Sequence, residues 1–237
     1  MIALILAGGK GLRLRPLTDD RPKPLVPVAG KPIAEWQLDW LRSNGDLERV
    51  VFLCGWKWER LEEHFGSDYH GVGVEYSVEE TPLGTGGAFR KAISEKGVSG
   101  EDVVMLNGDI ITDLRIEEMG KVRGSVAPRP VVTLLLVPYR SRFGIVKVDE
   151  RSFVTGFEEK PAFPDVWING GVYLGDADRL LADLPQKGDI ERETFPRLAS
   201  RGQVTAYRYR GFWSLVDSVK DIQEVERELA SRPQGLS

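Results

Sequence analysis

The chain has 237 residues, 41% of them hydrophobic, a formal net charge of −4 and one cysteine. That apolar fraction is ample for a buried core. The acidic balance argues against a general nucleic-acid binder, which needs a positive surface, and a lone Cys54 excludes an internal disulfide or a cysteine-rich metal site.

No basic segment precedes a long apolar one, and no run approaches the roughly 18 apolar residues of a membrane span, so a soluble cytoplasmic protein with no membrane partner is expected. The run Ile2-Ala3-Leu4-Ile5 predicts a buried parallel strand that opens directly into Leu6-Ala7-Gly8-Gly9-Lys10-Gly11. Glycines at 8, 9 and 11 let backbone N–H groups approach an anion closely. Lys10, Arg13, Arg15, Arg21 and Lys23 follow, and Pro22 and Pro24 restrict the backbone around Lys23. Such a loop suits a polyphosphate; taken alone, it equally fits a basic surface loop after an edge strand. It is not a dinucleotide fingerprint, because Lys10 stands where the second glycine of G-x-G-x-x-G belongs, and it is not a G-x-x-x-x-G-K-[ST] loop.

Pro32 near a first turn, then Ile33, Trp36, Trp40 and Leu41 at helical spacing, predicts a core-facing helix that stops at Asn44-Gly45. Residues 50–53 read as a second strand, and Trp58, Leu61, Glu62 and Phe65 as a helix ending at Gly66. Residues 72–78 are a third strand. Strands alternating with helices imply an α/β fold, a mostly parallel doubly wound sheet with helices on both faces. Trp36, Trp56 and Trp58 are read as packing residues, and Cys54, beside Val51, Phe52 and Leu53, as a small core residue. A second glycine cluster, Gly84-Thr85-Gly86-Gly87, predicts a loop ahead of a helix through Lys91 and Ile93. Open α/β sheets bind ligands at such junctions, although any turn there also uses glycine. Residues 103–106 form a buried strand that delivers Asn107-Gly108-Asp109 at its carboxyl end. Asp109 there suits a metal ligand over a surface charge, although a lone acid after a strand is more often a turn or helix cap, and Asp113 lies four residues on.

Residues 117–130 predict a short helix and a Gly/Pro connection, and 131–137 an apolar strand. The pattern then changes: 143–149 and 152–158 read as half-exposed strands around a Glu150-Arg151 turn, an antiparallel flap added to the parallel sheet. Beyond it stand Glu158-Glu159-Lys160-Pro161 and Ile168-Asn169-Gly170-Gly171. An acid and an amide can hydrogen-bond sugar hydroxyls and a lysine can neutralise a phosphate monoester, although a charged triplet is by default a solvated run. Residues 204–209 predict one more strand. Residues 211–217 lead into a final helix with Ser218 as N-cap, Asp221 three residues on, and Ile222, Val225 and Leu229 on its apolar face. No linker or repeat interrupts the chain, so residues 1–237 are expected to form a single domain.

Matched at every defined position from Leu6 to Pro24, the pattern L-A-G-G-x-G-x-R-L-x-P-L-T-x-x-x-P-K-P resembles the sugar-1-phosphate nucleotidylyltransferase family. The resemblance implies a Rossmann-like nucleotidyltransferase fold in its compact form, without the C-terminal hexapeptide-repeat domain of some relatives. The implied reaction is NTP plus sugar 1-phosphate giving NDP-sugar plus diphosphate. It implies further that Leu6, Ala7, Gly8, Gly9 and Gly11 wrap the nucleoside triphosphate, that Arg13 and Lys23 contact phosphates and act with Asp109, and that Glu79 and Gly84 read the nucleobase. Asn107-Gly108-Asp109 resembles the family's magnesium-binding position, which implies Asp109 as the ligand and leaves Asp113 as the capping residue. F-x-E-K-P followed by N-G-G is similar to the sugar-phosphate site, which implies Gly144 and Glu159 on the sugar, Lys160 on its phosphate and Asn169 on a hydroxyl. The flap is then a sugar-binding flap. The W-x-D-x-G-T-P ending of many members is missing, and a gapless overlay puts Leu215 where its acid belongs. F-W-x-x-x-D-[ST]-x-x-D is instead similar to the glucose-1-phosphate cytidylyltransferase branch, which shares R-F-G, F-x-E-K-P and I-N-G-G in the same order. On that overlay Asp217 is the second Mg²⁺ ligand.

Glu79 stands where thymidylyltransferases use glutamine. A carboxylate only accepts hydrogen bonds, which suits the N1–H and N2–H₂ donors of guanine or the N4–H₂ of cytosine. With a front half similar to mannose-1-phosphate guanylyltransferases, the expectation is GTP with mannose 1-phosphate. CTP, dTTP or UTP with glucose 1-phosphate or another sugar 1-phosphate is the alternative. The reading from another class is a non-catalytic nucleotide- or sugar-phosphate-sensing subunit, disfavoured because Arg13, Lys23, Asp109 and Lys160 occur together. A glycosyltransferase would bring D-x-D, and Asp109 to Asp113 has the wrong spacing. A homo-oligomer is compatible with the sequence, which specifies no assembly.

Overall fold

A computed structural model describes residues 1–232. The first strand, β1 (Ile2–Ala7), alternates strictly: Ile2 and Leu4 enter the core on one face of the sheet, and Ala3, Ile5 and Ala7 the core on the other. A strand buried on both faces must be apolar throughout, which is why the run carries no polar side chain.

Two short strands follow, β2 (Pro27–Val28) and β3 (Lys31–Pro32), then α1 (Ile33–Ser43), β4 (Arg49–Cys54), α2 (Glu59–Phe65), β5 (Asp68–Tyr69) and β6 (Val72–Val78). β4 lies parallel to β1, and β6 parallel to β4. The chain then crosses through α3 (Gly84–Glu95), so that β7 (Asp102–Asn107) pairs parallel with β1 on its other side. The block therefore reads β7-β1-β4-β6 and reverses its winding at β1. Loops leaving β1 and β7 diverge at that reversal, and the crevice they open at the strands' carboxyl ends is where open α/β sheets bind ligands.

The second half brings β8 (Ile110–Thr112), α4 (Ile116–Gly124), β9 (Val132–Arg140), the hairpin β10 (Ile145–Val148) and β11 (Val154–Glu158), and β12 (Ala162–Asp176). After these come α5 (Ala177–Asp183), α6 (Thr194–Ser200), β13 (Val204–Arg208), β14 (Trp213–Leu215) and α7 (Val219–Ala230). β12 runs antiparallel to β7 and β9, completing the order β13-β9-β12-β7-β1-β4-β6-β5. The parallel expectation thus holds around β1, with antiparallel pairing added beyond β7 and at the β5 edge. Helices cover both faces as expected: α1, α2 and α4 pack on one core and α3, α5 and α6 on the other. The hairpin forms its own two-stranded sheet, with both strands largely exposed.

A third cluster positions the site. It joins Leu14, Val26 and Val28 of the segment after β1 to Ile33, Ile111, Phe212 and Val216, and to Ile222, Val225 and Leu229 of α7. Each such side chain contributes roughly 1.5–3 kcal/mol when fully buried, so packing holds the glycine loop against the last helix. Ser218 caps α7 by accepting from the Asp221 N–H at 3.3 Å, as the sequence predicts.

Three local expectations change. Asp113 does not cap α4, which starts after Arg115; its carboxylate accepts from the Phe212 N–H at 3.0 Å and from the Tyr209 hydroxyl, and pairs with Arg232. The 84–87 glycines are the first turn of α3 and not a loop, because that turn is bound to the segment 185–190: Gly86 N–H donates to Gly188 O at 2.9 Å. Trp36 and Trp58 pack against cores, whereas Trp56 carries the ammonium groups of Lys10 and Lys57 over its ring, each 5.4 Å from the centroid. No helix among the described residues is long and apolar enough to cross a membrane.

Candidate active site

The loop after β1 is shaped by what its glycines face. A Cβ on Gly8 would stand 2.8 Å from Glu79 Oε1, whereas Gly9 faces open space. Gly11 is left-handed at φ 59, and Thr18 Oγ1 donates to its carbonyl at 2.9 Å. Two short 3-10 turns, Leu12–Leu14 and Lys23–Leu25, complete the segment. Its cations then separate. Arg15 pairs with Asp19 at 3.2 Å and Arg21 with Asp20 at 3.0 Å, while Arg13 and Lys23 turn towards carboxylates from the far end of the chain.

Gly108 lets β7 end against β1: a Cβ there would collide with the Leu6 carbonyl oxygen. Asp109 follows at once. β8 pairs antiparallel with β14, Ile110 opposite Leu215, and the Val216 N–H donates to the Asp109 carbonyl at 2.8 Å. Lys23 Nζ lies 2.7 Å from Asp109 Oδ2 and 3.1 Å from Asp217 Oδ1. Arg13, largely exposed, pairs with the other oxygen of Asp217. Asp109 and Asp217 are thereby the two carboxylates that could hold a divalent cation, and Asp109 Oδ1 is buried with no hydrogen-bond partner.

A residue that sequence reading passes over supports this turn. Gln37 is buried in α1, and its Nε2 donates to the carbonyls of Asn107 at 2.8 Å and Ile110 at 3.0 Å. Its signal in the sequence was an amide on the apolar face of a helix.

Glu79 follows β6 and takes its place beside Gly8, its Oε2 accepting from the Leu83 N–H at 3.0 Å. Gly84 opens α3 at φ 76 and packs on the backbone of Gly188. From there a hydrogen-bonded chain runs to the predicted sugar residues. Thr85 donates to Glu191 at 2.6 Å, the Tyr173 hydroxyl to the same carboxylate at 3.3 Å, and Asn169 Nδ2 to the Tyr173 hydroxyl at 2.8 Å. Burial, with the charge of Glu191 adding to it, raises the Tyr173 hydroxyl well above its ordinary range, so it stays a donor. Neither Tyr173 nor Glu191 belonged to a recognised motif. Gly144 and Glu159 are adjacent, a Cβ at 144 falling 2.9 Å from Glu159 Oε2. Lys160, between β11 and β12, faces Glu224 of α7 at 3.5 Å.

The model of the nucleotidyl transferase family matches residues 2–232. D-glycero-alpha-D-manno-heptose 1-phosphate guanylyltransferase of Aneurinibacillus thermoaerophilus is 36% identical over 178 residues, 74% of this chain and 75% of that one. Mannose-1-phosphate guanylyltransferase catalytic subunit beta of Drosophila melanogaster is 33% identical over 222 residues, 92% of this chain and 60% of its own. The chain therefore spans about 60% of the length of such mannose-1-phosphate guanylyltransferases. The crystal structure of HddC from Yersinia pseudotuberculosis complexed with GMP-PN shares the fold, with a TM-score of 0.72 at 23% identity over 96% of this chain and 98% of that one. Because the family match runs unbroken from β1 through the glycine loop and both carboxylates to α7, the chain belongs to the nucleotidyl transferase family.

Proposed function

We propose that the protein transfers GMP from GTP to a manno-configured sugar 1-phosphate, with mannose 1-phosphate as the first candidate, and releases diphosphate. The observation that carries this reading is the Lys23 ammonium lodged between Asp109 and Asp217, with the glycine loop beside it and Arg13 on the open side. The base and sugar follow from two supports. The relatives at 36% and 33% identity are guanylyltransferases acting on manno-configured sugars, and Glu79 beside Gly8 offers a carboxylate to the N–H donors of guanine.

A phosphate monoester is a competent nucleophile at neutral pH. Its oxygen attacks the α-phosphorus in line, the new P–O bond forms, and the bond to the β-phosphate breaks. No general base is required, in keeping with a site to which neither histidine contributes: His64 pairs with Glu35, and His70 occupies a turn. The residues instead hold together two anions that repel each other. N–H groups from Gly8 to Gly11 cradle the triphosphate, Arg13 and Lys23 stabilise the transferring and departing phosphates, Lys160 anchors the acceptor, and Glu159 and Asn169 hold its hydroxyls. Among the described residues no cluster of three or more His, Cys, Asp or Glu side chains is placed to hold a metal alone. Mg²⁺ asks for less, one or two carboxylates together with substrate phosphates, and Asp109 with its unpaired Oδ1 and Asp217 fit that set. Held by Asp109 and Asp217, Mg²⁺ would supply positive charge that offsets the repulsion between the two anionic substrates.

Diphosphate release measured over the common NTPs and several hexose 1-phosphates tests the reading. GTP with mannose 1-phosphate is expected to be fastest. CTP with glucose 1-phosphate leading the matrix would move the assignment to the alternative pair, and no release from any pair would overturn the enzymatic reading.

A further inference from the structure

Lys160, just past β11, and Lys220, in the first turn of α7, come from distant parts of the chain and share one carboxylate. Glu224 Oε1 lies 3.5 Å from Lys160 Nζ and 4.0 Å from Lys220 Nζ. Among the described residues it is the one acid paired with either, and Glu159 acts on both only at longer range. With both ammonium groups on one carboxylate oxygen, Lys160 lowers the Lys220 ammonium below its ordinary value. Like charges held together in this way call for a compensating anion.

The backbone adds an independent sign. Lys160 has φ 48, in the left-handed region that a lysine rarely adopts, and strain of this kind gathers at ligand sites. The side chain of Lys160 faces Glu224 of α7, a helix that Ser218 caps directly after Asp217. Both ammonium groups thus meet on the first turns of the helix that follows Asp217, the carboxylate held by Lys23 and Arg13.

We propose that Lys160 and Lys220 form a two-ammonium cradle for the phosphate of the acceptor, with Lys220 as a second phosphate-binding residue. The proposal rests on the nucleotidyl-transfer reading for the identity of that acceptor. A phosphate dianion has charge for both cations and oxygens for both sets of donors.

The test combines kinetics with GTP and mannose 1-phosphate and calorimetric titration of mannose 1-phosphate and inorganic phosphate without nucleotide. Lys220→Gln is expected to raise KM for mannose 1-phosphate about tenfold, to leave KM for GTP within about twofold, and to weaken phosphate binding in parallel. Lys220→Arg should restore most of the loss. Glu224→Gln removes the competing carboxylate and should leave that KM unchanged or lower it. If Lys220 served only as the helix partner of Glu224, both glutamine variants would lower the melting temperature alike and move neither KM, which overturns the proposal. A raised KM for diphosphate in the reverse reaction, with that for the NDP-sugar unchanged, would assign Lys220 to the leaving group and overturn it equally. Wild-type protein that releases no diphosphate yet binds mannose 1-phosphate through Lys220 would sink the reaction and keep the cradle; loss of both would end both.

Discussion

The Val216 backbone N–H donates to the Asp109 backbone carbonyl at 2.8 Å, and this bond sets which residue joins Asp109 in facing Lys23. It extends the β8–β14 ladder one step towards the crevice, so that Asp217 meets Lys23 while Leu215, opposite Ile110, packs partly buried against the core.

Replacing Asp109 tests the centre of the site directly. Asp109→Asn keeps the size of the side chain and removes the charge, so turnover is expected to fall by about 10²–10³-fold or more with the circular dichroism spectrum unchanged. Near wild-type turnover in saturating Mg²⁺ would refute the assignment.

Lys23→Met removes the cation between two largely buried carboxylates, and a loss of about 1–3 kcal/mol in stability is expected. Added Mg²⁺ should raise the melting temperature of this variant more than that of the wild type, because a second cation can take the same place. Equal shifts would count against a metal between Asp109 and Asp217.

Gly108→Ala probes the turn rather than the chemistry. Its methyl group would meet the Leu6 carbonyl, a backbone atom that cannot swing aside. Overpacking of this kind costs about 1–3 kcal/mol, measurable as a lower urea midpoint, and an unchanged midpoint would show that β1 and β7 can part there at no cost.

Glu79→Gln asks whether the carboxylate reads the base. Losing a charge-assisted hydrogen bond costs about 1.5–3 kcal/mol, so kcat/KM for GTP should fall by about 10–100-fold, with a smaller loss for dTTP. A uniform change across all NTPs would place Glu79 in the framework alone, through its bond to the Leu83 N–H.

Cys54 contributes to the pH dependence of folding just above neutrality. Burial, with Glu79 adding to it, pushes the Cys54 thiol up to about 12. An unfolded chain releases that proton near pH 8.5, so above this value the unfolded state binds fewer protons than the folded one, and stability falls as pH rises, by about 1.4 kcal/mol per unit. Urea denaturation between pH 8 and 10 should show a shallower decline for Cys54→Ala than for the wild type; parallel curves would contradict it.

Much of this protein was legible in local pattern. An apolar strand, a glycine loop, a helix start after Pro32 and the Ser218 cap all depend on neighbours within a turn or a pleat, and each formed where its residues placed it. The hairpin of residues 145–158 belongs with them. Cations in the loop show where that legibility stops. Five follow the strand, alike in sequence, but only Arg13 and Lys23 reach the carboxylates, since partners for Arg15 and Arg21 lie nearby and Lys10 settles over Trp56.

Composition and spacing by themselves determined that β1 is buried on both faces, that a glycine-rich loop with a run of cations follows it, and that an acid stands just past β7. Tertiary structure alone decided that Asp217 rather than Leu215 faces Lys23, that the 84–87 glycines are a helical turn against Gly188, and that Lys220 stands beside Lys160. The reason is physical: strand register and helix docking bring together residues far apart in the chain, and no local period records which of them will meet.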